Sequence, residues 1–279
     1  MRSPFLTVVS MKTFIANQNK KLSKIIFSFC DGLSYQDFRK ALRNKDIKVN
    51  DKRISNDIVL SVGDKVDVYY SPKKQENFSK IYIDDNVLVI NKKSGVTSEQ
   101  IFDEISNEYK SAGFIHRLDR NTSGVMIFSL NVFAEKELLL GFKNRTFTKE
   151  YEAEVVGVPI KKKATLEGYL IKDEKASTVK IYSTPQKGAS YIKTGYEVIS
   201  SNEETSKLKV ILYTGKTHQI RAHLSYAGYP LVGDGKYGDN QTNRRLKKKT
   251  QQLTAKKLIL KFNESDYLYY LNGREFCVE

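Results

Sequence analysis

Cysteine is almost absent from this chain. Cys30 and Cys277 are the only two in 279 residues, and they stand at opposite ends. That excludes a disulfide framework and a multi-cysteine zinc site, and it points to a reducing cytoplasm. Long apolar runs are missing too: none approaches the roughly 20 residues of a helical membrane span. The opening MRSPFLTVVSMK is too short and too interrupted by polar residues for a secretory signal, and no small-residue cleavage site follows. Met11 opens MKTFIANQNKKL, a natural start, so residues 1–10 read as an upstream extension. Acidic residues are scarce beside basic ones, 32 against 47, for a net charge of +15. An excess of that size calls for a polyanionic partner, either nucleic acid or an anionic membrane face. What is present, 40% hydrophobic and 28% charged residues, is the composition of a globular chain of one or two domains.

The charge is uneven. Lys20 to Arg53 holds ten Lys/Arg against four Asp/Glu, and Asn240 to Asn263 holds eight Lys/Arg and no acid. TFIANQN predicts a strand. KLSKIIFSFC predicts a helix with Leu22, Ile25, Ile26 and Phe29 on one face and Lys20, Lys21 and Lys24 on another. After a turn at Asp31-Gly32, Ser34 stands three residues before Asp37, the spacing of a capping box. The helix it opens carries Tyr35, Phe38 and Leu42 as a buried stripe, with Arg39, Lys40 and Arg43 opposite. IKVNDKRI predicts a strand and turn, and VGDKVDVYY a tight turn into an alternating strand. Residues 71–80, SPKKQENFSK, read as a polar linker between a first domain at 12–70 and a second at 81–279.

The second domain opens with IYIDDNVLVINK, two apolar runs around a turn at Asp84-Asp85-Asn86. Ile101, Ile105 and Tyr109 mark a helix over 99–110, VMIFSL a strand buried on both faces, and VFAEKELLLGF another helix. Residues 147–214 are mostly strand-like, and the lysine-rich stretches at 161–163 and 244–249 read as exposed loops. No internal repeat is present.

In the first domain, a helix-turn-helix with one apolar and one basic face suits the phosphate backbone of RNA, which Arg39, Lys40 and Arg43 can meet together. A solvated helix face is the ordinary alternative. The order of elements resembles the small RNA-binding domain first described in a ribosomal small-subunit protein (the S-four domain). KLSKII, FRKALRNKDIKVN, KRI and VGDKV carry that resemblance. It implies structured RNA as ligand, with Lys20, Lys24, Arg39, Lys40 and Arg43 as contacts.

All three histidines fall in two segments, FIHRLDRNTSG and TGKTHQIRAHLSYAGYPLVGDGKYG. His218 and His223 are five apart, which does not fit the four-residue spacing of a zinc-binding helix, so no metal is expected. Asp119 stands between Arg117 and Arg120 and before Asn121, Thr122, Ser123 and Gly124. By composition alone this is a turn. A carboxylate on a loop before a rigid strand can also act as a nucleophile or stabilise a sugar cation. Gly215 precedes a helix with Ile220, Leu224 and Ala227 buried and Arg221 off that stripe. Tyr151 shares a strand face with Lys149 and Ala153. A surface arginine and a packing tyrosine are the ordinary readings of Arg221 and Tyr151, and spacing alone does not join them to Asp119.

HRLDRNTSG and TGKTHQIRAHLSYAGYPLVGDGKYG together resemble the large-ribosomal-subunit type of RNA pseudouridine synthase. DDNVLVINKKSG, KEYEAEVVG and LTAKKLILKF extend the resemblance over residues 80–265. It implies an α+β chain: a small helix-turn-helix and strand RNA-binding domain, then a mixed, mainly antiparallel sheet with flanking helices. It implies Asp119 as the catalytic aspartate, Tyr151 stacked on the target base and Arg221 paired with Asp119. Arg117, Arg120 and His218 would contact RNA nearby. The isomerisation is redox-neutral and transfers no external group, so no cofactor is expected, and no glycine-rich phosphate loop is present. Ribosomal RNA is the first expected substrate, transfer RNA the second, and the protein is expected to be a monomer with no membrane partner. Lys93-Ser94 and TSEQ depart from the first motif, and Thr254 replaces a common histidine. The competing readings are a non-catalytic RNA-binding or ribosome-assembly protein of the same fold, and a nucleoside or glycoside hydrolase. The second usually needs a pair of carboxylates.

Overall fold

The computed structural model describes residues 10–30, 32–70 and 76–279. Residues 1–9 of the expected extension at 1–10, Asp31 of the expected turn and residues 71–75 of the expected linker lie outside the described residues. The chain divides into two compact units, residues 1–76 and 77–279.

The first unit is built from strand β1 (Ser10–Ile15), the short β2 (Lys20–Lys21), helix α1 (Tyr35–Asn44), β3 (Ile47–Val49), β4 (Lys52–Ile54), the short β5 (Val59–Leu60) and β6 (Lys65–Tyr70). The sheet runs β1-β6-β3-β4 with antiparallel pairing, and β2 pairs with β5. Ser34 caps α1, its hydroxyl accepting the Asp37 N–H at 3.1 Å, and Lys45 ends it in the left-handed conformation. Phe38 and Leu42 are buried as their spacing predicts, but Tyr35 is exposed. The first helix forms only as two 3-10 turns, Leu22–Lys24 and Ile26–Ser28. Ser23 is held by Asp57, through its amide at 3.0 Å and its hydroxyl at 2.6 Å, and the Ser28 hydroxyl takes the Ile25 carbonyl at 2.6 Å. These side chains compete with helical hydrogen bonding. Leu22, Ile25 and Ile26 still reach the core, while Phe29 stacks on Phe14 nearer the surface, with centroids 4.3 Å apart.

The second unit contains β7 (Phe78–Ile83), β8 (Val87–Lys92), α2 (Ser98–Glu108), β9 (Ser123–Ser129), α3 (Val132–Asn144), β10 (Thr148–Val156), β11 (Lys163–Asp173), β12 (Thr178–Tyr182), β13 (Ser190–Ser201), β14 (Thr205–Leu212), α4 (Gln219–Tyr226), α5 (Asn240–Arg245), β15 (Leu253–Ile259) and β16 (Glu275–Cys277). The linker therefore ends earlier than its polarity suggests. Phe78 already pairs with Lys92 and packs on the Leu88–Ile90 core. Likewise Lys163 opens β11, and Arg244 and Arg245 close α5, which Asp239 caps at the Gln241 and Thr242 amides.

One ten-stranded sheet runs β12-β11-β13-β14-β10-β15-β9-β8-β7, with β16 on β15. All its pairings are antiparallel except β15 with β9. Strand alternation sends Val87, Val89, Val125 and Ile127 toward Leu138 of α3. It sends Leu88, Ile90, Met126 and Phe128 toward Ile101 and Ile105 of α2. The fold is α+β, and β9 is covered on both faces as its unbroken apolar run predicts. Among the described residues no helix is long and apolar enough to cross a membrane.

Candidate active site

Asp119 lies on the loop entering β9, and that loop is bracketed from several sides. The Ser98 hydroxyl donates to the Leu118 carbonyl and accepts the Leu118 amide, both at 2.9 Å. The Ser94 hydroxyl donates to the Asn121 carbonyl at 3.0 Å, and the Gly95 amide to the Arg120 carbonyl at 2.9 Å. Lys92 is fully buried, and its ammonium donates to the carbonyls of Lys93, Arg120 and Thr122 at 2.9, 3.0 and 2.9 Å. Burial pushes the Lys92 pKa down to about 8, while the charge of Asp119 draws it upward. Gln251 holds the Thr122 hydroxyl at 2.7 Å.

The loop then enters the parallel junction, where Gly124 faces Ala255 at φ +115°. A Cβ there would meet the Ala255 carbonyl. Two of the residues that depart from the expected motifs are engaged in local hydrogen bonds. Thr97 forms a capping box with Gln100 at the start of α2, and Thr254 shares a 2.9 Å hydrogen bond with Ser123.

Arg221 donates from Nη1 to Asp119 Oδ2 at 2.8 Å. Its Nε and Nη2 donate to the two oxygens of Asp234 at 2.7 and 3.0 Å. Arg221 is thus buried, not a surface residue, and Asp234 beneath it is fully buried. Burial alone would raise the Asp234 pKa, but Arg221 and the amides of Lys236 and Tyr237 hold it below the ordinary value. The arginines adjoining Asp119 in sequence do not neutralise it. Arg117 pairs with Glu99 at 3.2 Å, and Arg120 donates to the Gly95 carbonyl at 2.9 Å. Asp119 Oδ1 has no hydrogen-bond partner among the described residues.

A cavity of about 420 Å³ opens over this pair. Asp119, Tyr151, His218 and Arg221 line it with Lys149, His116 and Arg117, and Leu212, Ile220 and Leu253 give it an apolar wall. Burial and then the nearby Asp119 charge raise the Tyr151 pKa, so its hydroxyl stays protonated. That hydroxyl makes no hydrogen bond among the described residues.

His116 and His218 line the cavity, while His223 meets Thr194. His116 accepts the Ile127 amide at 3.2 Å and stacks on Phe142, and burial followed by Lys149 pushes its pKa down to about 3. His223 meets the Thr194 hydroxyl at 3.0 Å and is pushed down to about 4 by burial. Among the described residues no His, Cys, Asp and Glu cluster could hold a metal ion.

Lys20, Lys24, Arg39, Lys40 and Arg43 are exposed on the first unit, and none enters an ion pair among the described residues. Lys92 and Asp234 escape sequence reasoning. The signal for Lys92 is its place in the apolar alternation of VLVINK, on the face of Leu88 and Ile90. Asp234 sits in GDGKYG, which reads as a turn.

A family model described as RNA pseudouridylate synthase matches residues 86–226. The chain is 29% identical over 265 residues to ribosomal large subunit pseudouridine synthase C of Rickettsia conorii, covering 84% of this chain and 86% of that one. It is 33% identical over 204 residues to ribosomal large subunit pseudouridine synthase D of Blochmanniella floridana, covering 66% and 60%. Identity to the mitochondrial tRNA pseudouridine(32) synthase of Saccharomyces cerevisiae is 29% over 238 residues, 80% of this chain but only 52% of that relative. Among solved structures, human RNA pseudouridylate synthase domain containing 1 aligns with a TM-score of 0.63 and 26% identity, covering 75% of this chain and 86% of that one.

Proposed function

This chain belongs to the RNA pseudouridylate synthase family, and we propose that it isomerises a uridine in structured RNA with Asp119 as the catalytic carboxylate. The observation that carries this reading is the division of labour at Asp119. Arg221 fixes Oδ2 at 2.8 Å, while Oδ1 is left without a protein partner beside the cavity. A charged oxygen held in this way can attack the ribose or stabilise its cation as the bond from C1′ to N1 breaks. The base then turns, C1′ bonds to C5 as any bond to the Asp119 oxygen breaks, and the C5 proton leaves to solvent, so atoms balance with no further reactant. Tyr151 supplies a ring for the extruded base to stack on. Arg221 positions the carboxylate, and Asp234 positions Arg221.

The first unit, read as an S-four-like domain, anchors the RNA through Arg39, Lys40 and Arg43 with Lys20 and Lys24. Arg117, Arg120 and His218 meet RNA nearer the cavity. The chain acts as a monomer in the cytoplasm, without metal or cofactor. Ribosomal RNA is the first candidate substrate, given the names of the Rickettsia and Blochmanniella relatives, and transfer RNA the second, given that of the yeast relative.

The test uses RNA tritiated at uridine C5 and extracted from cells lacking this chain. The wild-type protein should release tritium. Asp119→Asn, which keeps the shape but loses the charge, should release none while still binding that RNA. Appreciable turnover by a homogeneous Asp119→Asn protein would remove the carboxylate from the chemistry.

A further inference from the structure

We propose that His218 presents a fixed Nε2–H donor to a carbonyl of the target uracil; this rests on the reading of the cavity as a pseudouridine synthase site. The first observation is backbone strain. His218 has φ 55° and ψ 14°, in the left-handed region that non-glycine residues seldom enter, Asn, Asp and His being the more frequent exceptions. The turn is over-determined around it. The Gln219 side chain accepts from the Thr214 hydroxyl at 2.8 Å and the Lys216 amide at 3.1 Å. It donates to the Lys193 carbonyl at 3.1 Å and the Thr194 hydroxyl at 3.0 Å. These four hydrogen bonds fix the turn that sets the direction of the His218 side chain.

The second observation sets the tautomer. His218 Nδ1 is 2.9 Å from the Tyr237 hydroxyl. That hydroxyl oxygen also accepts the Val179 amide at 2.8 Å, and an amide can only donate. The hydroxyl hydrogen is therefore free to point at Nδ1; we take Nδ1 as the acceptor, which puts the proton of the neutral ring on Nε2. The third observation is where Nε2 looks. It lies 3.9 Å from Asp119 Oδ2, too far for a hydrogen bond, and that oxygen already accepts from Arg221. The Nε2–H is left over, on the wall of the cavity that holds Asp119 and Tyr151. Burial, the largest influence on this ring, lowers its pKa and favours the neutral form.

The chemistry needs such a donor. When the bond from C1′ to N1 breaks, its electron pair goes to the base, and negative charge spreads onto the uracil carbonyls. A preset N–H aimed at one of them stabilises that charge without reorganisation. His218 thereby acts on the base, while Asp119 acts on the sugar.

Two measurements test this on the full chain. With ¹⁵N-labelled histidine, three rings report, and His116 and His223 serve as internal controls. His218 should appear as the Nε2–H tautomer, and Tyr237→Phe, which leaves the strained backbone alone, should mix the tautomers. A wild-type ring protonated on Nδ1 would overturn the proposal. The second measurement is single-turnover tritium release from the C5-tritiated RNA of cells lacking this chain. At saturating protein, His218→Phe should slow release about tenfold or more. His218→Gln, which keeps an N–H near the Nε2 position, should be several-fold faster than His218→Phe. Equal loss in both variants, or a wild-type rate in His218→Phe, would reject the donor role. No release by the wild-type protein would instead count against the proposed function, and the tautomer spectrum would still decide the assignment of the ring.

Discussion

Arg221 gives two nitrogens to Asp234 and the third to Asp119, so it is located from below before it meets the carboxylate proposed to react. A lysine has the charge but not the planar fork, and it cannot hold both carboxylates at these distances. Arg221→Lys should therefore slow single-turnover tritium release by about 10²-fold, the cost of a misplaced reacting group, with little change in RNA affinity. Tyr151→Phe separates ring from hydroxyl. The hydroxyl is protonated and has no hydrogen-bond partner among the described residues, so it relays the C5 proton only by passing its own proton to solvent in the same step. The variant should detach the base and then stall without releasing tritium, whereas near-normal turnover would reduce Tyr151 to a stacking surface. At this scale the sequence is legible where a residue sits in a long, unusual motif, as Asp119, Tyr151 and Arg221 do. It is illegible where a charged side chain is buried for support. Lys92 looks like the solvated end of a strand and Asp234 like a turn, because only packing reveals that each is enclosed. Arg117 and Arg120 flank Asp119 in sequence, yet their side chains turn to Glu99 and to the Gly95 carbonyl, which sequence adjacency does not reveal.

Hydrophobic spacing located α1, α2, α3 and most strands, because a periodic face has to be buried wherever the element ends up. It did not distinguish a helix from two 3-10 turns at residues 22–28, where serine and aspartate side chains take over the backbone groups. Nor can alternation reveal which strand lies beside which. The parallel contact of β15 with β9 joins segments 131 residues apart at Ser123 and Thr254, and it fixes the base of the Asp119 loop. Gly124 is its critical point. A glycine-to-alanine change stabilises a protein by about 0.4–1 kcal/mol where the backbone suits alanine, through the unfolded chain, and destabilises it by more where φ is positive. With φ +115° and the Ala255 carbonyl in the path of any Cβ, Gly124→Ala should carry the unfavourable sign and exceed about 1 kcal/mol. A urea titration of the full chain should show the lower midpoint, and tritium release should fall with it as the carboxylate loses its footing. An unchanged or higher midpoint would mean that the junction relaxes without disturbing the loop.

Each of the two units encloses its own apolar cluster, Leu22, Ile26, Phe38 and Val68 in the first and several separate clusters in the second. The cavity is lined entirely by residues of the second unit. The proposed chemistry and the proposed anchoring therefore fall on different parts of one basic chain, and mutation can separate them. Arg39, Lys40 and Arg43 are exposed and touch no core residue's role, so changing all three to Ala should leave both units folded. If they bind RNA phosphates, each lost contact releases fewer counterions, and the slope of log K against log salt should fall by about 0.7–0.9 per contact. The triple variant, titrated with RNA from cells lacking this chain between low and moderate salt, should therefore bind more weakly at low salt and respond less steeply. The single-turnover rate at saturating protein should stay close to wild type, because the Asp119–Arg221 pair and its cavity are untouched. Removing residues 1–76 should go further in the same direction and leave the second unit folded on its own clusters. A salt slope equal to that of the full chain, in the triple variant and in the truncated one, would place the RNA anchor on the second unit, where Lys247, Lys248 and Lys249 stand exposed after α5.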